Sequence, residues 1–206
     1  MSEAGKHDTV ERCVKAARGC RLCADRLPLG PRPVIRARAS ARILIVGQAP
    51  GTRVHETGIP WNDASGRRLR EWLNLSEDKF YDDHHIAIVP AGLCYPGKGK
   101  SGDLPPIPEC APLWHGRLRP LLTDIRLTLL IGQYAQSYYL GKTRKKTLTE
   151  TVQAWRDYQP EYLPLPHPSP RNTAWLRNND WFETQVVPML RIRVSEILDS
   201  ENINES

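Results

Sequence analysis

Two short, unbroken apolar runs, Arg42-Ile-Leu-Ile-Val-Gly47 and Leu127-Thr-Leu-Leu-Ile131, constrain this chain more than any other feature. Each is too short to be a helix of ordinary length, and neither alternates with polar residues. A continuous run of this size is a strand covered on both faces, the habit of a parallel sheet. His85–Pro90 and Tyr162–Pro166 supply two further strand candidates. Between them lie helical stretches: Val10–Ala24, a helix capped by Ser65 with apolar face Leu69, Trp72 and Leu73, Trp114–Leu122, a helix opened by Gly132 and running through Tyr139, and Trp181 to about Leu198. Leu27–Pro33 and Tyr95–Pro108 are rich in Pro and Gly and read as loops. Strands alternating with helices predict a three-layer α/β/α sandwich around a central, mostly parallel four-stranded sheet. With 206 residues the chain suits a single domain over 1–206, with its core at about 10–198 and a frayed tail at 200–206.

Composition narrows the partners. No apolar run approaches the roughly 20 residues of a membrane span, and Met1–Asp8 is too polar for a secretory signal. The expectation is a cytoplasmic monomer without a membrane partner. A net charge of +6 favours a polyanion. The basic residues are dispersed over Arg67, Arg68, Arg70, Lys142–Lys146, Arg171 and Arg177, as on a folded surface that meets phosphates or only water. Of the five cysteines, Cys20 and Cys23 form a CxxC pair suited to metal capture by adjacent thiolates. Cys13 reads as packing.

Ligands of parallel sheets bind at the carboxyl ends of the strands. Two unusual segments fall there. Gly47-Gln48-Ala49-Pro50-Gly51 is a tight turn that lets backbone approach a ligand closely, or merely a strand exit. His167-Pro168-Ser169-Pro170-Arg171-Asn172 is a proline-stiffened loop. Its amides and the Ser169 hydroxyl suit phosphate, and His167 can donate a hydrogen bond to an anionic leaving group.

Together these segments resemble the paired motifs of the uracil-DNA glycosylase superfamily, which read like GQDPY or GEAPG and like HPSPLS. The stretch Gly47–Leu73, GQAPGTRVHETGIPWNDASGRRLREWL, is most similar to the iron–sulfur family 4 type, combined with a family 1-like HPSP motif. The resemblance implies a DNA-repair enzyme that flips out uracil or a related damaged base and hydrolyses its N-glycosidic bond. It implies a base pocket of Gly47, Gln48, Ala49, Trp61, Pro90 and His167, with Trp61 stacking on the base and His167 donating to its departing O2. It implies DNA contacts from Ser169, Pro170, Arg171 and Asn172, Arg171 standing where the family has a leucine wedge and either filling the vacated stack or binding phosphate. It also implies a [4Fe–4S] cluster on Cys20, Cys23, Cys94 and Cys110, the last two separated by 16 residues. The four thiolates suit tetrahedral zinc as well, and cysteines that bind nothing are the third alternative.

Three further positions depart from the pattern. Gln48 and Ala49 replace the family's catalytic carboxylates, leaving Asp63 as candidate to orient water and Glu56 as second. Pro90 stands where related enzymes read the base with an asparagine. The missing acids leave room for an inactive protein that binds uracil-containing or abasic DNA. A nucleotide-handling enzyme ranks lower, because the first loop has neither a GKS/T ending nor GxGxxG spacing.

Overall fold

The computed structural model describes residues 8–100 and 102–200. Among them are the strands β1 (Ile43–Val46), β2 (Ile86–Ile88), β3 (Lys98–Gly99), β4 (Gly102–Asp103), β5 (Leu127–Ile131) and β6 (Tyr162–Leu165). Four form the central sheet in the order β2-β1-β5-β6, and every pairing in it is parallel. Alternate side chains feed opposite cores. Ile43, Ile45, Leu127, Leu129 and Ile131 enter one, while Leu44, Val46 and Leu130 enter the other. This two-sided burial is why the runs are apolar throughout instead of alternating. β6 is an edge strand, so Pro164 costs the ladder no hydrogen bond on its outer side. The other edge, β2, is blunted by a short antiparallel bridge from Arg36 to Ile88.

The helices are α1 (Val10–Arg18), α2 (Thr52–Thr57), α3 (Ala64–Leu73), α4 (Glu77–Tyr81), α5 (Cys110–Leu118), α6 (Gln133–Leu140), α7 (Leu148–Gln153), α8 (Thr173–Asn178) and α9 (Val187–Asp199). α3, α4, α7, α8 and α9 cover one face of the sheet, and α1, α5 and α6 cover the other. The three-layer α/β/α sandwich follows. No helix among the described residues is long and apolar enough to cross a membrane.

Several boundaries differ from the expected ones. α1 ends at Arg18, well before Ala24, because Gly19 turns its N–H back to the Ala17 and Lys15 carbonyls. α5 begins at Cys110 instead of Trp114 and tightens at its end into a 3-10 turn, Arg119–Leu121. The expected loop Tyr95–Pro108 contains the small β3–β4 hairpin. Four helices of five or six residues, α2, α4, α7 and α8, are too short to show helical periodicity in sequence. The last helix opens with a π-helical turn, Phe182–Val186. Of the expected frayed tail, residues 201–206 lie outside the described residues.

The N-terminus of α3 corrects the cap assignment. Asp63, not Ser65, is the N-cap: its backbone is extended and its carboxylate accepts the Gly66 N–H at 2.8 Å. Ser65 sits buried in the first turn. α3 also packs tightly on the segment before it, since a Cβ on Gly66 would collide with the Trp61 carbonyl oxygen. Gly66→Ala is therefore expected to lower stability by ~1–3 kcal/mol, the scale of overpacking. Urea unfolding should show a lower midpoint at unchanged slope; a variant as stable as its parent would mean that α3 can slide off Trp61.

Candidate active site

The exits of β1 and β2 are held side by side because their pairing continues past the strands. Ala91 donates its N–H to the Gly47 carbonyl at 2.9 Å, and Gly92 donates to the Gln48 carbonyl at 2.8 Å. The chain turns from β2 back across β1 to β5, so the order of the sheet reverses beside β1, where ligands of such folds gather. A cavity of about 270 Å³ opens there. The first motif loop, Gly47–Gly51, forms one wall, and His167, Ser169 and Arg171 of the second loop form another. Pro60, Trp61, Asp63 and Ser65 close it from the start of α3, and Pro90 from the end of β2. The two segments singled out in sequence thus face one pocket.

Trp61 organises this pocket. Its backbone lies in the left-handed region at φ 57°, an uncommon conformation for a bulky residue. Its indole occupies space that any side chain at position 47 would invade, a Cβ there falling 2.8 Å from Cζ2. The ring leans on His167, with centroids 5.6 Å apart at 34°. His167 stands two residues past the end of β6, and its carbonyl accepts the Asn172 side-chain amide at 2.8 Å, which closes the loop on itself. Arg68 of α3 donates to the Ser169 carbonyl at 3.2 Å and ties the loop to α3. Desolvation lowers the pKa of His167 and the nearby Asp63 carboxylate partly opposes this, so the imidazole is neutral at pH 7.

The other expected residues separate clearly. Gln48 lines the cavity but commits its Nε2 to the Leu104 carbonyl at 3.2 Å, leaving the amide oxygen for the pocket. Ala49 lines it without a polar group. Glu56 is exposed and does not reach it: α2 carries its side chain outward, and the residue's carbonyl instead accepts from Arg32 at 2.8 Å. Pro170 and Asn172 belong to a 3-10 turn and shape the loop without lining the cavity. Asp103 was missed in sequence. It reaches the cavity from the β3–β4 hairpin, in a stretch whose Pro and Gly content signalled only a loop.

A second cavity lies on the far side of the Pro90–Cys94 segment. Cys20, Cys23, Cys94 and Cys110 all line it, with apolar neighbours that include Leu27 and Trp114. Burial, reinforced by the neighbouring thiols, pushes Cys94 and Cys110 up to about 11. The Leu93 N–H points at Cys110 Sγ from 3.3 Å and the Arg26 guanidinium at Cys23 Sγ from 3.4 Å. Among the described residues, no three Cys, His, Asp or Glu side chains are placed to hold a single metal ion; the thiols share a cavity without closing on one point. Cys13 stands apart, fully buried on the inner face of α1, as packing requires.

The family model of the Uracil DNA glycosylase superfamily matches residues 36–191, a span that holds both pocket loops, Trp61, Asp63, Cys94 and Cys110. Among solved structures, the crystal structure of wild-type Pedobacter heparinus SMUG2 is 14% identical, over 81% of this chain and 77% of that one, with a TM-score of 0.35. That likeness is too loose to carry an argument.

A pH dependence follows from two buried imidazoles. Desolvation lowers the pKa of both His115 and His167 below 6.5, so the unfolded chain binds protons more readily than the folded one. The stability they contribute is complete above 6.5 and is lost as the pH falls below it. Thermal melts from pH 7.5 to 5.5 should show falling midpoints, and His115→Gln should flatten that slope. An unchanged slope would place the titrating group elsewhere.

Proposed function

The chain belongs to the uracil DNA glycosylase superfamily, and on that premise we propose that its pocket receives uracil or a related damaged base extruded from DNA and hydrolyses the N-glycosidic bond. The observation that carries this reading is the convergence of Trp61, His167 and Asp63 on one cavity closed by both motif loops. A base inside a duplex is out of reach of any side chain, so the target is flipped out or taken from a single strand. Trp61 offers its face to the base, a contact of ~1–3 kcal/mol. Arg68, Arg171 and Arg177 supply positive charge for the phosphates beside the second loop.

As the bond between the sugar and the base nitrogen breaks, its electron pair leaves with the base and positive charge grows on the sugar. His167, neutral and carrying one N–H, donates to the O2 on which the negative charge settles. Water attacks the sugar carbon and gives its proton to Asp63. That carboxylate has one oxygen fixed by the Gly66 N–H and the other free to accept. Asp63 thus replaces the acids absent at positions 48 and 49, with the Gln48 amide oxygen as a second acceptor for the same water.

We also propose that Cys20, Cys23, Cys94 and Cys110 hold a [4Fe–4S] cluster, as in the iron–sulfur type of this superfamily; that all four line one cavity supports this reading. Four thiols line one apolar hollow with N–H donors at two of the sulfurs, and the raised pKa of Cys94 and Cys110 means that a bound cation would be needed to keep them as thiolates. When bound, the cluster supplies a rigid cross-link between the N-terminal segment, the β2 exit and α5. Protein purified anaerobically should be brown and contain iron and sulfide; colourless protein with stoichiometric zinc would overturn this assignment.

His167→Ala should slow excision from uracil-containing oligonucleotides by ~10²-fold or more in single-turnover assays, the scale of a lost transition-state donor. Asp63→Asn should do so while changing stability by only a few tenths of a kcal/mol, because asparagine caps a helix as well as aspartate. Full activity in either variant removes that residue from the mechanism. Tight binding without any excision by the wild type would favour a non-catalytic binding protein.

A further inference from the structure

Behind the Pro90 wall lies a buried polar pair that the mechanism above does not use. His115 of α5, only 3% exposed, contacts the Pro90 carbonyl through Nε2 at 3.0 Å and the Tyr139 hydroxyl of α6 through Nδ1 at 2.7 Å. The partners fix the proton. A carbonyl can only accept, so Nε2 carries the hydrogen, and in the neutral ring Nδ1 must then accept from the tyrosine. Burial keeps the imidazole neutral and keeps the Tyr139 hydroxyl protonated, so the arrangement persists at neutral pH.

The consequence falls on the pocket. Pro90 has no N–H, and His115 occupies its carbonyl. The next two amides, Ala91 and Gly92, are already given to Gly47 and Gln48. With its carbonyl turned to His115 and no N–H to give, Pro90 has its apolar ring left to offer the cavity that it lines. We propose that His115 is a positioning residue for base selection: with Tyr139 behind it, it holds the Pro90 carbonyl out of the pocket, so that the base is chosen at this wall by the shape of its edge. A base that turned an amine or carbonyl toward Pro90 would lose its bonds to water and gain none. Hydrogen-bonded discrimination then falls to the polar side chains that also line the cavity, Gln48, Asp63 and Asp103.

This inference rests on the pocket being a base pocket, and its test reads binding apart from excision. Fluorescence anisotropy would give affinities for single-stranded oligonucleotides carrying uracil, hypoxanthine, xanthine or an abasic analogue. His115→Phe fills the same space without a donor. It should change the affinity ratios among the three bases about fivefold or more, the scale of one hydrogen bond gained or lost, while abasic binding stays within about twofold. His115→Gln, whose amide can still donate to Pro90, should restore the wild-type ratios. If His115→Phe does not fold, Tyr139→Phe, which frees the imidazole tautomer, should shift the ratios in the same direction by a smaller factor. Unchanged ratios, or abasic binding that falls in parallel with base binding, would overturn the proposal. Wild-type protein that binds with base preference yet excises nothing would instead refute the glycosylase reading and leave this one standing.

Discussion

The site depends on how a large aromatic ring is seated against bare backbone. Trp61 enters a left-handed conformation, lays its indole over Gly47 and takes the first turn of α3 against its own carbonyl at Gly66. Holding a non-glycine residue there costs about 1–2 kcal/mol, and packing on both sides offsets it. Because the seat is made of glycines, the ring cannot be displaced without moving either the β1 exit or α3. His167 leans on that same ring, so the two aromatic side chains of the pocket share one support.

The location of the carboxylate follows from the same turn. Trp61 reverses the chain so that Asp63 becomes the N-cap of α3, and capping fixes the orientation of a side chain that would otherwise sweep through solvent. One residue thereby starts a helix and faces the pocket. A sequence that lacks acids at positions 48 and 49 can still place a charged acceptor in the cavity, and it does so from a different wall.

The segment Pro90–Cys94 has a comparable double role. Its first residue lines the candidate active-site cavity and its last lines the cysteine cavity. Between them the backbone is fastened in turn to Gly47, Gln48 and Cys110 Sγ, with the Leu93 carbonyl accepting from Val34 at 2.7 Å. One stretch of backbone thus runs from the pocket to the cysteine cavity, and Cys110 touches it through the Leu93 N–H.

The sequence by itself determined the sheet and the two motif loops. Apolar runs such as Ile43–Val46 and Leu127–Ile131 have one stable use, burial on both faces, and that fixes strands, parallel pairing and the end of the sheet where the loops meet. Only tertiary structure decided that Glu56 points away, that Asp63 rather than Ser65 caps α3, that Asp103 arrives from a hairpin, and that His115 grips Pro90 from behind. The difference is physical. Burial patterns are written locally, one residue after another, whereas the direction of a side chain from a short helix or loop depends on contacts between elements far apart in the chain, and no local pattern records them.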